Sequence, residues 1–118
     1  MIQKISMEEI DIIHKTQFGI SFFWKSKKNK LQVVFRDTGF FLSVEEVKLF
    51  QKNVIEAVEQ GCCSQCKTPK DCKSILLKTP SSKIELAVSK IELEEINTLL
   101  GATLFQLGLK KYLEVCAN

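Results

Sequence analysis

Residues 18–58, FGISFFWKSKKNKLQVVFRDTGFFLSVEEVKLFQKNVIEAV, constrain the fold more than any other stretch. Phe18, Ile20, Phe22 and Trp24 alternate with Gly19, Ser21, Phe23 and Lys25, which gives a strand with one strongly apolar face. The polar run KSKKN (25–29) reads as a turn, and Leu31, Val33 and Phe35 alternate with Gln32, Val34 and Arg36 in the returning strand. Asp37-Thr38-Gly39 is a turn signal, with room for a short extra strand at Phe40–Leu42. Ser43-Val44-Glu45-Glu46 is then a capping box: the Ser43 hydroxyl can accept from the Glu46 amide while the Glu46 carboxylate reaches back to the Ser43 amide. Val47, Phe50, Val54 and Val58 keep to one helical face, and Gly61 suits a left-handed cap, so a helix is expected over 44–60.

A shorter version of the same order returns at 73–107. Phe22 through Phe35 aligns without a gap on Ile75 through Val88, with Thr79-Pro80-Ser81-Ser82 at the turn. Ser89-Lys90-Ile91-Glu92 answers the first capping box, and Leu93, Ile96, Leu100, Leu104 and Leu107 continue as a helix. Gly101 interrupts that helix at a cost near 1 kcal/mol against Ala, and Gly108 reads as its stop. Leu109, Tyr112, Leu113 and Cys116 share the spacing of a final short helix docked on the core. Ahead of all this, residues 9–14 read as a strand, with Ser6-Met7-Glu8-Glu9 as a competing helix start. The expectation is one α+β domain over 1–118, in which two hairpin-plus-helix units (18–60 and 73–107) share one antiparallel sheet. Both helices would lie on one face, and a Cys-rich loop (61–72) would join the units.

That loop carries the chemistry. Cys62, Cys63, Cys66 and Cys72 fall in CCSQCKTPKDC, and Cys63-Ser64-Gln65-Cys66 has the spacing with which two thiolates grip Zn²⁺ through a tight turn. Adjacent cysteines point apart, so Cys62 and Cys63 serve one ion poorly; Cys116 or His14 could complete a set if the fold brought either close. The alternatives are redox chemistry through Cys63 and Cys66, or inert thiols. Lys67, Lys70 and Lys73 would favour thiolates whichever holds.

Other features point to fewer activities. Sixteen of the seventeen basic residues are Lys, with Arg36 the exception, and the net charge is +3 on a surface of mixed sign. Guanine and phosphate recognition favour the bidentate guanidinium. Lys25, Lys27, Lys28 and Lys30 beside Phe23 and Trp24 therefore read as a solvated hairpin tip, and nucleic acid is not the expected partner. His14 is the single histidine, which leaves no two-His metal site or hydrolase triad. Glu45/Glu46 sit where carboxylates stabilise a helix dipole, and Glu94/Glu95 fall on an exposed helix face; neither is a catalytic pair. No apolar run reaches the ~18 residues of a membrane span, and the N-terminus has no signal-peptide pattern, so a cytoplasmic address is expected.

The run Lys73-Ser74-Ile75-Leu76-Leu77-Lys78-Thr79-Pro80, Ile84–Ser89, and Glu92-Leu93-x-x-Ile96-x-x-Leu99-Leu100 resembles a family of small uncharacterised proteins from Bacteroidetes-type bacteria. His14–Gly19 and Leu31-Gln32-Val33-Val34-Phe35 look similar to that family's N-terminal half. The resemblance implies a fold and an address but no activity. Some members carry a Cys-x-x-Cys in the first hairpin; Trp24–Asn29 has none, so no metal site carries over there. The function expected from these readings is a small, non-catalytic binding module that takes a protein partner or a second copy of itself.

Overall fold

The computed structural model describes residues 8–60 and 72–116, without the side chains of 27–29 and 114–116. The order is β1 (Ile10–Lys15), β2 (Gly19–Trp24), β3 (Lys27–Phe35), β4 (Thr38–Leu42), α1 (Val44–Gln60), β5 (Ile75–Lys78), β6 (Glu85–Val88) and α2 (Lys90–Cys116). The strand reading of 9–14 holds as β1, while its competing start at Ser6 lies outside the described residues, as does the Gly61 cap. The architecture is α+β, as expected.

β1 to β4 form a four-stranded antiparallel meander. Its register places Gly19, Ser21 and Phe23 of β2 opposite Phe35, Val33 and Leu31, which in turn face Thr38, Phe40 and Leu42 of β4. This is the face that meets the helices, because Leu31, Val33, Phe35 and Leu42 share one core with Val47, Phe50 and Val54 of α1 and with Leu93, Ile96, Leu99 and Leu100 of α2. The strongly apolar side of β2 (Ile20, Phe22, Trp24) is thus turned away from the helices. The small side is chosen because it admits α2. A Cβ on Gly19 would stand 2.8 Å from Leu99 Cδ2 and 2.4 Å from the Val34 carbonyl oxygen. Two residues on, the buried Ser21 hydroxyl lies 2.6 Å from Thr103 Oγ1. Each hydroxyl also has a carbonyl acceptor, Leu99 at 2.7 Å for Thr103 and His14 at 3.4 Å for Ser21, so either can donate across the pair.

Two turns sit earlier than composition suggests. The first hairpin closes at Lys25–Ser26, with an irregularity between Phe23 and Trp24 that absorbs the extra residues of β3. The second closes at Arg36–Asp37, so Thr38 and Gly39 belong to β4. Arg36 takes φ 52°, the one positive φ among the described non-glycine residues.

Both capping boxes form. The Ser43 amide donates to Glu46 Oε1 at 3.0 Å and the Glu46 amide to Ser43 Oγ at 3.2 Å. Ser89 and Glu92 repeat this at 3.0 and 3.1 Å. The second hairpin also forms, with Ile75 opposite Val88 and Lys78 opposite Glu85, a register different from that of the aligned first hairpin, where Phe22 lies opposite Gln32. Thr79 organises its turn, donating to the Ile84 carbonyl at 2.7 Å and accepting from the Ser81 amide at 3.2 Å.

Two expectations need correction. The hairpins do not share a sheet: β5 and β6 form a separate two-stranded one. Ile75, Leu77, Leu86 and Val88 give that hairpin a single apolar face, which packs on the core cluster beside α1 and is tied there by Asn53 Nδ2 donating to the Lys78 carbonyl at 3.1 Å. The chain after Gly108 is not a separate docked helix either. α2 runs unbroken from Lys90 to Cys116, about 40 Å at 1.5 Å per residue. Gly101 lies against α1, where a Cβ would be 3.2 Å from Gln51 Nε2; a Cβ on Gly108 would meet open space, and the residue stays helical, an isolated propensity cost that its Leu- and Lys-rich neighbours tolerate.

Candidate interaction surface

Three regions could carry function: the cysteine segment, the ionic cluster at Arg36, and the outer face of α2. Cys62, Cys63 and Cys66 lie outside the described residues, as do Lys67 and Lys70. Cys72 is described, as an exposed free thiol just ahead of β5. Cys116 ends α2, but its side chain is outside the description. His14 sits on β1 opposite Ser21, where the register shifts. Among the described residues, no three His, Cys, Asp or Glu side chains group closely enough to hold a metal ion. No described helix is long and apolar enough to cross a membrane.

Arg36 anchors the second region. Its Nη2 and Nε donate to Glu95 Oε1 at 2.6 and 3.1 Å, and Nε stands 3.5 Å from Glu92 Oε2. The guanidinium also lies over the Phe18 ring, 5.1 Å from its centroid. Lys73 Nζ reaches Glu92 Oε2 at 3.8 Å. Glu95, expected on an exposed face, is instead nearly covered by Arg36. The hydrogen bond to Glu95 raises the Arg36 pKa. Burial pushes the Glu92 carboxyl up, but the Ser89 amide and hydroxyl, Lys73 and Arg36 together hold it below the ordinary range. Glu46 is also held low, chiefly by the Ser43 amide. An open depression of about 520 Å³ adjoins this cluster, lined by Lys15, Phe18, Arg36, Lys73 and Glu92 among others. The charges here are matched within the chain, so the cluster serves to tie the β3–β4 turn and the approach to β5 onto the first turns of α2.

The third region is apolar. On α2 the core side carries Leu93, Ile96, Leu100 and Thr103, with Leu104 and Leu107 packed against it. About half a turn round the helix, Phe105 is 67% exposed, Leu109 41%, Tyr112 65% and Leu113 56%. Two aromatics and two leucines at these exposures leave roughly 450 Å² of apolar side-chain surface, within the range of the largest patch on a typical monomer, which is often functional. A helix apolar on opposite sides has the composition of one buried on both.

The outer face of the four-stranded sheet, by contrast, is partly buried. Phe22 and Ile10 are buried there, Trp24 meets Phe22 edge-on at 5.2 Å, and its indole N–H donates to Gln32 Oε1 at 3.2 Å. Ile12 and Phe41 remain exposed on opposite edge strands, with Lys30 Nζ 5.6 Å from the Phe41 ring centroid.

Sequence periodicity finds Leu109, Tyr112 and Leu113 but assigns them to the core. It misses Phe105, which lies one residue beyond the core position Leu104. Comparisons with protein-family models, curated proteins and solved structures give no match.

Proposed function

We propose that the protein is an interaction module that binds another folded chain through the outer face of α2. The observation that carries this reading is the Phe105–Leu109–Tyr112–Leu113 stripe, opposite the buried face of the same helix. Such a groove-free, convex apolar stripe fits a partner helix laid along it, with anchors at i, i+4, i+7 and i+8. In the same reading 73–107 is a shortened copy of 18–60, its hairpin handing a capped helix to the core.

The test is hydroxyl-radical footprinting of Phe105 and Tyr112 in cells that make the protein, compared with the diluted purified chain and with Phe41 as internal reference. An engaged face gives protection of Phe105 and Tyr112 in cells and no change at Phe41. Equal labelling of all three in both settings overturns the reading.

Zinc held by Cys62, Cys63, Cys66 and Cys72 is a second reading. What favours it is that the Cys72 sulfur is not tied up in a disulfide and so is available to coordinate as a thiolate. Metal content under reducing conditions tests it. About one zinc per chain supports a structural site; absence of metal with a reversible Cys63–Cys66 disulfide favours redox chemistry instead.

A further inference from the structure

We infer that the occupant of the α2 face is a second copy of this chain, its α2 laid antiparallel across a two-fold axis near Leu107. The inference rests on the interaction reading above and deepens it. Three observations favour a like partner over a different one.

The first is spacing. Ala102, Phe105, Leu109 and Tyr112 follow one another at steps of three, four and three, the seam of a two-helix coiled coil. A two-fold axis makes any such seam its own complement. In the antiparallel arrangement Phe105 meets Leu109 of the partner subunit, and Ala102 meets Tyr112 of the partner subunit, so each large side chain faces a smaller one.

The second is charge. The seam's flanking positions hold Gln106, Gly108 and Leu113, none of them charged. Flanking charges are what select a different partner in helix pairs, and here there is no such code to read. Lys110 and Lys111 point off the seam; a parallel pair would align them with their own counterparts, and the antiparallel pair separates them.

The third is area. Two stripes, with Ala102 and the Gln106 stem added, bury roughly 1,000 Å² in total, the lower limit for a specific association. An interface of this size makes a weak, reversible dimer.

The experiment is sedimentation equilibrium of the full chain, under reductant so that none of its five cysteines can link chains. Wild type is expected to rise with concentration toward twice the 13.4 kDa chain mass. Phe105→Asp and Leu109→Lys, each checked by circular dichroism, are expected to weaken the dimer at least about 30-fold alone. Mixed in equal amounts they recover it, because the two new charges meet across the axis while Phe105 still meets Leu109 at the symmetric contact. A parallel pair brings 105 against 105 and 109 against 109, so its mixture recovers nothing. Three results overturn the proposal: a monomer at all concentrations to about 1 mM, a dimer indifferent to both substitutions, or variants that stay monomeric when mixed. A monomer in the centrifuge with Phe105 and Tyr112 protected in cells would overturn the second-copy assignment and leave the interaction reading standing. Loss of both results removes both.

Discussion

The two halves of α2 are made of similar residues and treated oppositely. From Lys90 to Leu107 the helix is capped by Ser89 and Glu92, pinned by Arg36 at Glu95, and packed through Ile96, Leu99, Leu100 and Thr103 on the sheet. From Gly108 onward no described side chain is buried, although Leu109, Tyr112 and Leu113 are as apolar as those before them. Apolar composition therefore does not place a helix segment in the core. A facing surface does, and the first half finds one in β2 because Gly19 and Ser21 leave room for it.

The sharpest way to separate the halves is truncation on each. Leu100→Ala is expected to cost 2–5 kcal/mol in denaturant unfolding, since it opens a cavity in a fully buried site. Tyr112→Ala in dilute solution stays within about 0.5 kcal/mol of wild type. Comparable losses at both positions would break the contrast.

Gly19→Ala is the next largest effect. The new methyl meets backbone at Val34 and a side chain at Leu99, and the strain of overpacking is expected to cost about 1–3 kcal/mol. A neutral result would mean that α2 does not lie so close to β2.

The caps give a smaller effect with a pH signature. Ser89→Ala is expected to lose about 1 kcal/mol. Because Glu46 and Glu92 are held below the ordinary carboxylate value near 4.5, their contribution is full above that pH. It is lost as pH falls through the depressed folded values, where both carboxylates take up protons. Glu92→Gln should flatten the acid limb of melting temperature against pH; an unchanged limb would count against this role for Glu92.

Legibility in the sequence followed distance. Both capping boxes, α1 and the 75–88 hairpin could be read, because each is decided by chemistry within a few residues. The core-facing side of β2 could not. Its apolar alternation favours Phe22 and Trp24, and only Thr103, 82 residues away, explains why Ser21 faces inward. The Arg36–Asp37 turn was hidden by the stronger composition signal of Asp37-Thr38-Gly39, and by a positive φ that an arginine does not advertise. At the candidate surface, spacing identified side chains that share a face but could not say whether the chain itself covers it. The proposed metal ligands were legible only as spacing, and three of the four lie outside the described residues.

The most direct measurement is amide hydrogen exchange along α2 at low and at high protein concentration. Amides of residues 93–104, closed by the chain's own core, are expected to exchange slowly and equally at both. Those of 109–113 should exchange fast when dilute and become protected as concentration rises, because their cover is supplied by a second chain. Exchange over 109–113 that is the same at every concentration would contradict the claim that this half of the helix is completed by association.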